Sequence, residues 1–268
     1  MVDTNVHDRA RAALAESRAH MTCESPEPLG AFFIGSAPVG RLVSAVRNKL
    51  TQDNYRSLVR TSPIGQKLVA AESVEERTLA LEALLVMLRK DGLLGPATGE
   101  AVDILYHGEL LARVDRSAVR LLGLPTRIVR LLAATSDGRW VLQKRSDKKR
   151  IAPGLLDNFA AGMVAAGETV REALRRETAE ETGLALSLSD EQEALLRFKC
   201  ARPVEEGFLF EENVVFRTTL PDGFSPKGER EEVAHFVKLG ESEILDAVTA
   251  AQLMPEAAHA FLTLFAND

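Results

Sequence analysis

Cysteine is nearly absent: Cys23 and Cys200 stand far apart in 268 residues, with no His/Cys cluster beside either. That excludes a disulfide framework, disfavours a zinc site and leaves both thiols as packing residues. No GxSxG and no Cys/His arrangement marks a covalent nucleophile, and His107, His235 and His259 show no ligand spacing. No apolar run reaches eighteen residues, so no membrane-spanning helix is expected. The opening MVDTNVHDRARAALAESRAH is charged throughout and lacks the apolar core of a secretory signal, so a cytoplasmic location is expected. Positive charge is not in excess either. Lys and Arg number 33 against 39 Asp and Glu, a net charge of -6, which argues against a general nucleic-acid surface and leaves small polyanions as partners. Internal repeats and low-complexity segments are missing too.

What is present is enough apolar material, 46% of residues, for two modest cores. Residues 6–20 are Ala- and Arg-rich and read as a helix, broken by the SPEP segment at 25–28. A short apolar run at 31–34 leads into GSAPVGRL, whose Gly35 and Gly40 have phosphate-loop spacing. Arg41 and Leu42 replace the lysine and hydroxyl such a loop needs, and Pro38 removes a backbone donor, so no nucleotide phosphate is expected there. Ser73 and Glu76 form a capping-box pattern ahead of a leucine-rich helix at 73–90, stopped by Gly92. At LLGLPT, residues 121–126, strand patterns begin, and we place the domain boundary there: 1–122, then 123–268. Residues 128–135 and 140–144 read as a hairpin across Asp137-Gly138. Later segments around 196–202, 207–220 and 233–239 read as strands, and 241–251 and 255–265 as helices.

The stretch from Gly162 to Leu184, GMVAAGETVREALRRETAEETGL, breaks a local rule. Five carboxylates fall between Glu168 and Glu181, and Glu177, Glu180 and Glu181 share one face of a helix capped by Thr169 and stopped by Gly183. Like charges at that spacing repel. The pairs Glu172/Arg176 and Arg176/Glu180 fit an ordinary solvated face. Against that reading, the three glutamates have no cation three or four positions ahead to neutralise them. Gly162, Gly167 and Gly183 let backbone approach closely, and Lys144, Arg145, Lys148, Lys149 and Arg150 cluster upstream, where they can hold phosphate oxygens. Clustered carboxylates suit magnesium or manganese rather than zinc.

Gly162, Glu168, Arg176-Glu177-Thr178, Glu180-Glu181 and Gly183-Leu184 together resemble the Nudix box, the signature of hydrolases acting on a diphosphate linked to another moiety. One slot departs: Thr178 stands where an aliphatic residue is usual. The resemblance implies an α/β fold, the Nudix α/β/α sandwich with a mixed sheet, here preceded by a smaller α+β N-terminal domain. It implies that Glu177 and Glu181 bind Mg2+ (or Mn2+), with Glu180 as further ligand or water-activating base, Glu168 as ligand or orienting partner, the Gly162 carbonyl completing the sphere and Arg176 pinning the glutamates. PGLLDNFAAGMVAAGE, LLGLPT and FFIGSAPVG are similar to a Nudix subgroup found alone or fused to thiamine pyrophosphokinase, although Met163 replaces its usual second glycine. That similarity implies a thiamine-diphosphate-like substrate, whereas the Nudix resemblance alone leaves a nucleoside-diphosphate-like one equally open.

Arg145, Lys148 and Arg150 are the candidate diphosphate contacts, with Asp157 and Asn158 either orienting substrate or forming an Asx turn. Among Glu229, Glu231 and Glu232, the subgroup resemblance points to Glu232 as an outside base or ligand. Trp140 reads as a core or sheet-face residue. Two alternatives stand beside the hydrolase: an isoprenyl-diphosphate isomerase-like enzyme, for which Cys200 is the only candidate cysteine in the second domain, and a non-catalytic nucleotide-ligand binding module. A homodimer is compatible with an N-terminal domain whose role the residues leave open.

Overall fold

The computed structural model describes residues 4–70, 72–149, 151–187, 193–228 and 231–267. Its first part runs α1 (Thr4–Met21), β1 (Gly30–Ile34), β2 (Ala37–Leu42), α2 (Ser44–Leu50), β3 (Val59–Ser62), β4 (Gly65–Leu68), α3 (Val74–Lys90), β5 (Ala101–Tyr106) and β6 (Glu109–Asp115). There follow β7 (Thr126–Ala134), β8 (Trp140–Arg145), β9 (Leu156–Asp157), β10 (Ala160–Met163) and α4 (Val170–Thr182). The last part holds β11 (Leu196–Val204), β12 (Gly207–Thr219), β13 (Val233–Leu239), α5 (Glu241–Thr249) and α6 (Pro255–Asn267).

The smaller α+β unit has a four-stranded sheet, β2-β1-β4-β3, and the β5–β6 ribbon. Its core gathers Phe32, Ile34, Leu42 and Tyr55 with Leu81, Leu84, Leu85 and Leu88 of α3, and extends to Leu124. The buried leucines of α3 recur at helical spacing, and the Ser73–Glu76 capping box starts that helix as its sequence signals. GSAPVGRL forms the turn and second strand of an antiparallel hairpin, not a strand-to-helix phosphate loop. Gly40 is packed so closely that an added Cβ would lie 2.4 Å from the Leu122 carbonyl.

The larger sheet has the order β11-β12-β7-β8-β13. β12 runs parallel to β7 and the other neighbours are antiparallel, so the sheet is mixed. Period-two alternation along β7 sends Val129, Leu131 and Ala133 to one face, where they meet Ala173 and Leu174 of α4. Leu132 and Ala134 point to the other face, against α5, α6 and Val6, Ala10 and Leu14 of α1. The result is a helix/sheet/helix sandwich in which the first helix of the chain covers the second sheet. Trp140 is a core residue of this layer, edge-on to Phe261 at 5.5 Å between ring centroids.

The hairpin expected at 128–144 is present, but β7 and β8 pair only at Ala133/Val141 and Ala134/Trp140. Beyond that the strands splay. β10 then pairs with β7 from Ala160/Leu131 to Met163/Ile128, and β9 pairs with β8 at Gln143 and Lys144. The segment LLDNFAAG therefore supplies two short strands that fill a fork in the sheet, and the catalytic candidates collect at that fork.

Candidate active site

Helix α4 begins at Thr169, whose side chain accepts from the Glu172 backbone while Glu172 returns a bond to the Thr169 N–H. The Glu172 carboxylate is thus given to the capping box. The helix ends at Gly183, left-handed at φ 73°, with its N–H bonded to the Ala179 carbonyl. Thr178 is fully buried and donates its hydroxyl to the Leu174 carbonyl, so the polar residue in an aliphatic slot satisfies itself within the helix.

Arg176 is the hub. Its Nε and Nη2 donate to the two Glu168 oxygens at 2.7 and 2.9 Å, its Nη1 to Glu177 at 2.8 Å and Glu180 at 3.2 Å, and its Nη2 also to the Met163 carbonyl at 3.1 Å. Three carboxylates share one guanidinium, which supplies the neutralising cation that the spacing rule looked for further along the helix. The bidentate bond holds Glu168 below its ordinary pKa.

Glu177 lies directly over β10. A Cβ on Gly162 would fall 1.9 to 2.3 Å from the Glu177 carboxylate atoms, so only glycine admits this approach. Burial pushes the Glu177 carboxyl above its ordinary pKa; Arg176 opposes the shift, and Glu180 and Glu232 add to it. Glu181 goes deeper, into the fork. It is 7% exposed and accepts from the Ala161 N–H at 2.9 Å and the Gln143 side-chain amide at 3.0 Å. Burial raises its pKa to about 8, with Asp157 and Glu177 adding to the shift and the two hydrogen bonds opposing it. Glu180 stays outward, its side chain 56% exposed. Among the described residues no three His, Cys, Asp or Glu side chains form a ready-made metal cage.

The loop after Phe224 closes over the end of α4: Lys227 donates its N–H to the Thr182 carbonyl at 2.9 Å, and a Cβ on Gly228 would lie 2.6 Å from the Glu181 carbonyl. Glu232, just beyond, bonds Lys149 at 3.0 Å and lies near enough to Glu177 to raise its pKa. Lys148 and Glu231 pair at 2.6 Å on the open surface.

Arg145 donates Nε to the Ala152 carbonyl, Nη2 to the Ile151 carbonyl and Nη1 to Asp157, which ties it to residues 151–152 and uses three of its five N–H groups. Arg150 and Glu229 lie outside the described residues. Asp157 and Asn158 are buried on Arg130, which reaches Asp157 Oδ1 and Asn158 Oδ1 at 3.2 Å each and Asn213 Oδ1 at 2.7 Å. The Asn158 backbone N–H donates to the Asp157 carboxylate, and the Asn158 amide nitrogen is buried without a partner among the described residues. Gln143 and Arg130 were missed from sequence. Their one signal was a polar residue inside an apolar strand, WVLQ and IVRLL.

A model of the NUDIX domain matches residues 124–260. An uncharacterized Nudix hydrolase, YfcD of Escherichia coli (strain K12), is 36% identical over 90 residues, 33% of this chain and 50% of that one. A protein described as a Nudix hydrolase from Deinococcus radiodurans is 29% identical over 117 residues, 40% of this chain and 68% of the relative. The crystal structure of DR0079 from Deinococcus radiodurans superposes with a TM-score of 0.45 at 22% identity, covering 62% of this chain and 98% of that one. The chain spans about half the length of the YfcD relatives it matches.

Proposed function

The chain belongs to the NUDIX family, and from that premise we propose that it is a divalent-metal-dependent pyrophosphohydrolase, cleaving the diphosphate linkage of a thiamine-diphosphate-like or nucleoside-diphosphate-like substrate. The observation that carries this reading is the packing of Glu177 onto Gly162, with Glu181 buried beside it in the sheet fork. Two neighbouring carboxylates, both raised above their ordinary pKa chiefly by burial and in part by the charge of nearby carboxylates, are what a site awaiting a cation would show.

A hard divalent cation fits the donor set, which is all oxygen. We assign Glu177 and Glu181, with Glu180, Glu168 and the Gly162 carbonyl, to holding Mg2+ or Mn2+. Such an ion, when bound, stabilises the negative charge that develops on the phosphate oxygens. The chain's own residues do the rest. Arg176 fixes the spacing of Glu168, Glu177 and Glu180, while Gln143 and the Ala161 N–H aim the Glu181 carboxylate. Glu180, the most exposed carboxylate of the set, is assigned either to the metal or to taking the proton of the attacking water. Lys148, with Arg150, is assigned to the substrate's phosphates, Asn158 to a substrate acceptor through its unpartnered amide, and Glu232 to the outer rim.

The isomerase alternative needs an acidic or nucleophilic thiol. Cys200 is fully buried between Met21 and Asn213, and burial pushes its pKa up to about 12. It is poorly suited to either role. The thiamine-like substrate class rests on the 153–168 similarity and is tested by a panel. With millimolar Mg2+, thiamine diphosphate and its oxidised forms are expected to release a monophosphate faster than ADP-ribose, dinucleotides or nucleoside triphosphates. Glu181→Gln is expected to lower that rate by about 100-fold or more while circular dichroism stays native. Full activity in the glutamine variant rejects the metal assignment; equal rates across the panel reject the thiamine preference.

A further inference from the structure

The loop Val164–Glu168 joins β10 to α4 and carries Glu168, the bidentate partner of Arg176. Five successive backbone N–H groups in it must find acceptors. Val164 donates to the Arg127 carbonyl at 2.9 Å, continuing the β10–β7 ladder, and Glu168 donates to the Ala165 carbonyl at 3.1 Å. Ala165 donates to Glu168 Oε2 at 3.0 Å. The remaining two acceptors come from the N-terminal unit: Ala166 donates to the Ala101 carbonyl at 2.8 Å, and Gly167 donates to Asp103 Oδ2 at 2.9 Å. Asp103 is itself held, since its Oδ1 accepts from Arg113 Nε at 3.1 Å across the β5–β6 ribbon. Gly167 sits at φ 79° as the third residue of the turn closed by the Glu168 N–H and the Ala165 carbonyl, and the Ala101 and Asp103 acceptors dock that turn on the N-terminal unit.

We infer that Asp103 is a positioning residue for the carboxylate cluster, and that the β5 edge of the N-terminal unit holds the 164–168 loop so that Glu168 keeps Arg176, and through it Glu177 and Glu180, in register. The chain of contacts is continuous: Asp103 to Gly167, Gly167 to its neighbour Glu168, Glu168 to Arg176, and Arg176 to Glu177, Glu180 and the Met163 carbonyl. A charge-assisted bond to a backbone N–H is among the stronger hydrogen bonds a side chain makes, and its loss frees a glycine whose conformational range is the widest of any residue. The N-terminal unit thereby becomes part of the site without touching substrate. The consequence for catalysis rests on the hydrolase reading above, whereas the consequence for the loop does not.

The test uses the full-length protein with Asp103→Ala, Asp103→Asn and Arg113→Ala. Asparagine keeps an acceptor for the Gly167 N–H, alanine removes it, and the Arg113 change leaves the acceptor but unties it. Amide hydrogen exchange of residues 164–168, read without metal or substrate, is expected to be about tenfold faster in Asp103→Ala, near wild type in Asp103→Asn and intermediate in Arg113→Ala. Titration with Mn2+ alone, followed by its electron paramagnetic resonance signal, is expected to show about tenfold weaker binding in Asp103→Ala, recovered in Asp103→Asn. In the hydrolysis assay, kcat is expected to fall by about the same factor with KM changed less than about twofold. Unaltered loop exchange in Asp103→Ala overturns the inference whatever the activity. Equal loss of exchange protection in alanine and asparagine variants, or protection lost across the whole molecule, also overturns it, because the acceptor would then not be what matters. A wild type that hydrolyses none of the diphosphates removes the function proposed above and leaves the exchange result to decide the positioning role.

Discussion

At the scale of single residues, the decisive contact is Glu177 on Gly162. The carboxylate occupies the volume that any other side chain at 162 would need, with the nearest approach at 1.9 Å. Gly162→Ala must therefore displace Glu177 from β10 or push β10 away from α4, and overpacking of this kind costs about 1–3 kcal/mol. Because Arg176 bonds Glu177 and the Met163 carbonyl together, the displacement travels into the whole cluster. The expected outcome is an unfolding free energy in urea lowered by that amount and hydrolysis reduced by more than the stability loss explains; a variant with wild-type kcat would show that Glu177 has no fixed place in the site. The shared face of Glu177, Glu180 and Glu181 was legible in the sequence because helical periodicity turns spacing directly into a face, whereas Arg176 and Gly162 were singled out by the resemblance to the Nudix box. Gln143 was not. It meets Glu181 from a strand 38 positions earlier, and only the fold brings strand and helix together. Asn158 was read as a substrate contact or an Asx turn, and its burial on Arg130 depends on a partner 28 positions away.

At the scale of elements, local chemistry predicted the starts and stops of α3 and α4, since a capping box and a left-handed glycine are decided within a few residues. The Asp-Gly turn between β7 and β8 was equally local. The splaying of those strands was not, because it is set by β9 and β10 competing for their inner edges. The seam between β11, β12 and α6 shows a further non-local effect. Glu211 of β12 is buried near Glu256 of α6, and Glu256 pairs with Arg202 of β11 at 2.7 Å. Desolvation, then Glu256, raises the Glu211 pKa to about 7, while Arg120, Arg130 and Arg202 oppose the shift. With the folded value above the unfolded one, the native state binds the extra proton, so the stability Glu211 contributes is fully present below about pH 4.5 and is lost as pH rises through about 7. Glu211→Gln removes the ionisation. The melting temperature of the variant is expected to gain on the wild type steadily between those pH values and to hold a constant lead above them. A difference independent of pH would place the titration elsewhere.

At the scale of the molecule, two of the joints between the units are ones that a boundary at LLGLPT does not suggest. Helix α1 begins the chain yet packs on the last helix: Val6, Ala10 and Leu14 enter the core with Phe261 and Phe265, His7 Nδ1 lies 3.1 Å from the Phe265 carbonyl, and Ser17 bonds His259 at 2.9 Å. The β5 edge meets the 164–168 loop on the opposite face of the sheet, the face covered by α4. The helical character of residues 6–20 was readable, but its partner was not, because an Ala- and Arg-rich composition says that a helix forms and not what it packs against. A fragment of residues 123–268 loses both joints, and they separate by experiment. Removing α1 uncovers the Phe261/Phe265 face, and the burial of Val6 and Leu14 alone is worth about 3–5 kcal/mol. The fragment is expected to unfold at lower urea and to bind an apolar dye. Adding a peptide of residues 4–21 should recover part of that stability, because the peptide restores the covered face, but it should leave exchange at Ala166 and Gly167 fast, because Ala101 and Asp103 are still missing. Recovery of loop protection by the peptide would mean that the two joints are one cooperative unit; a fragment as stable as the full chain would mean that α1 merely rests on the sheet.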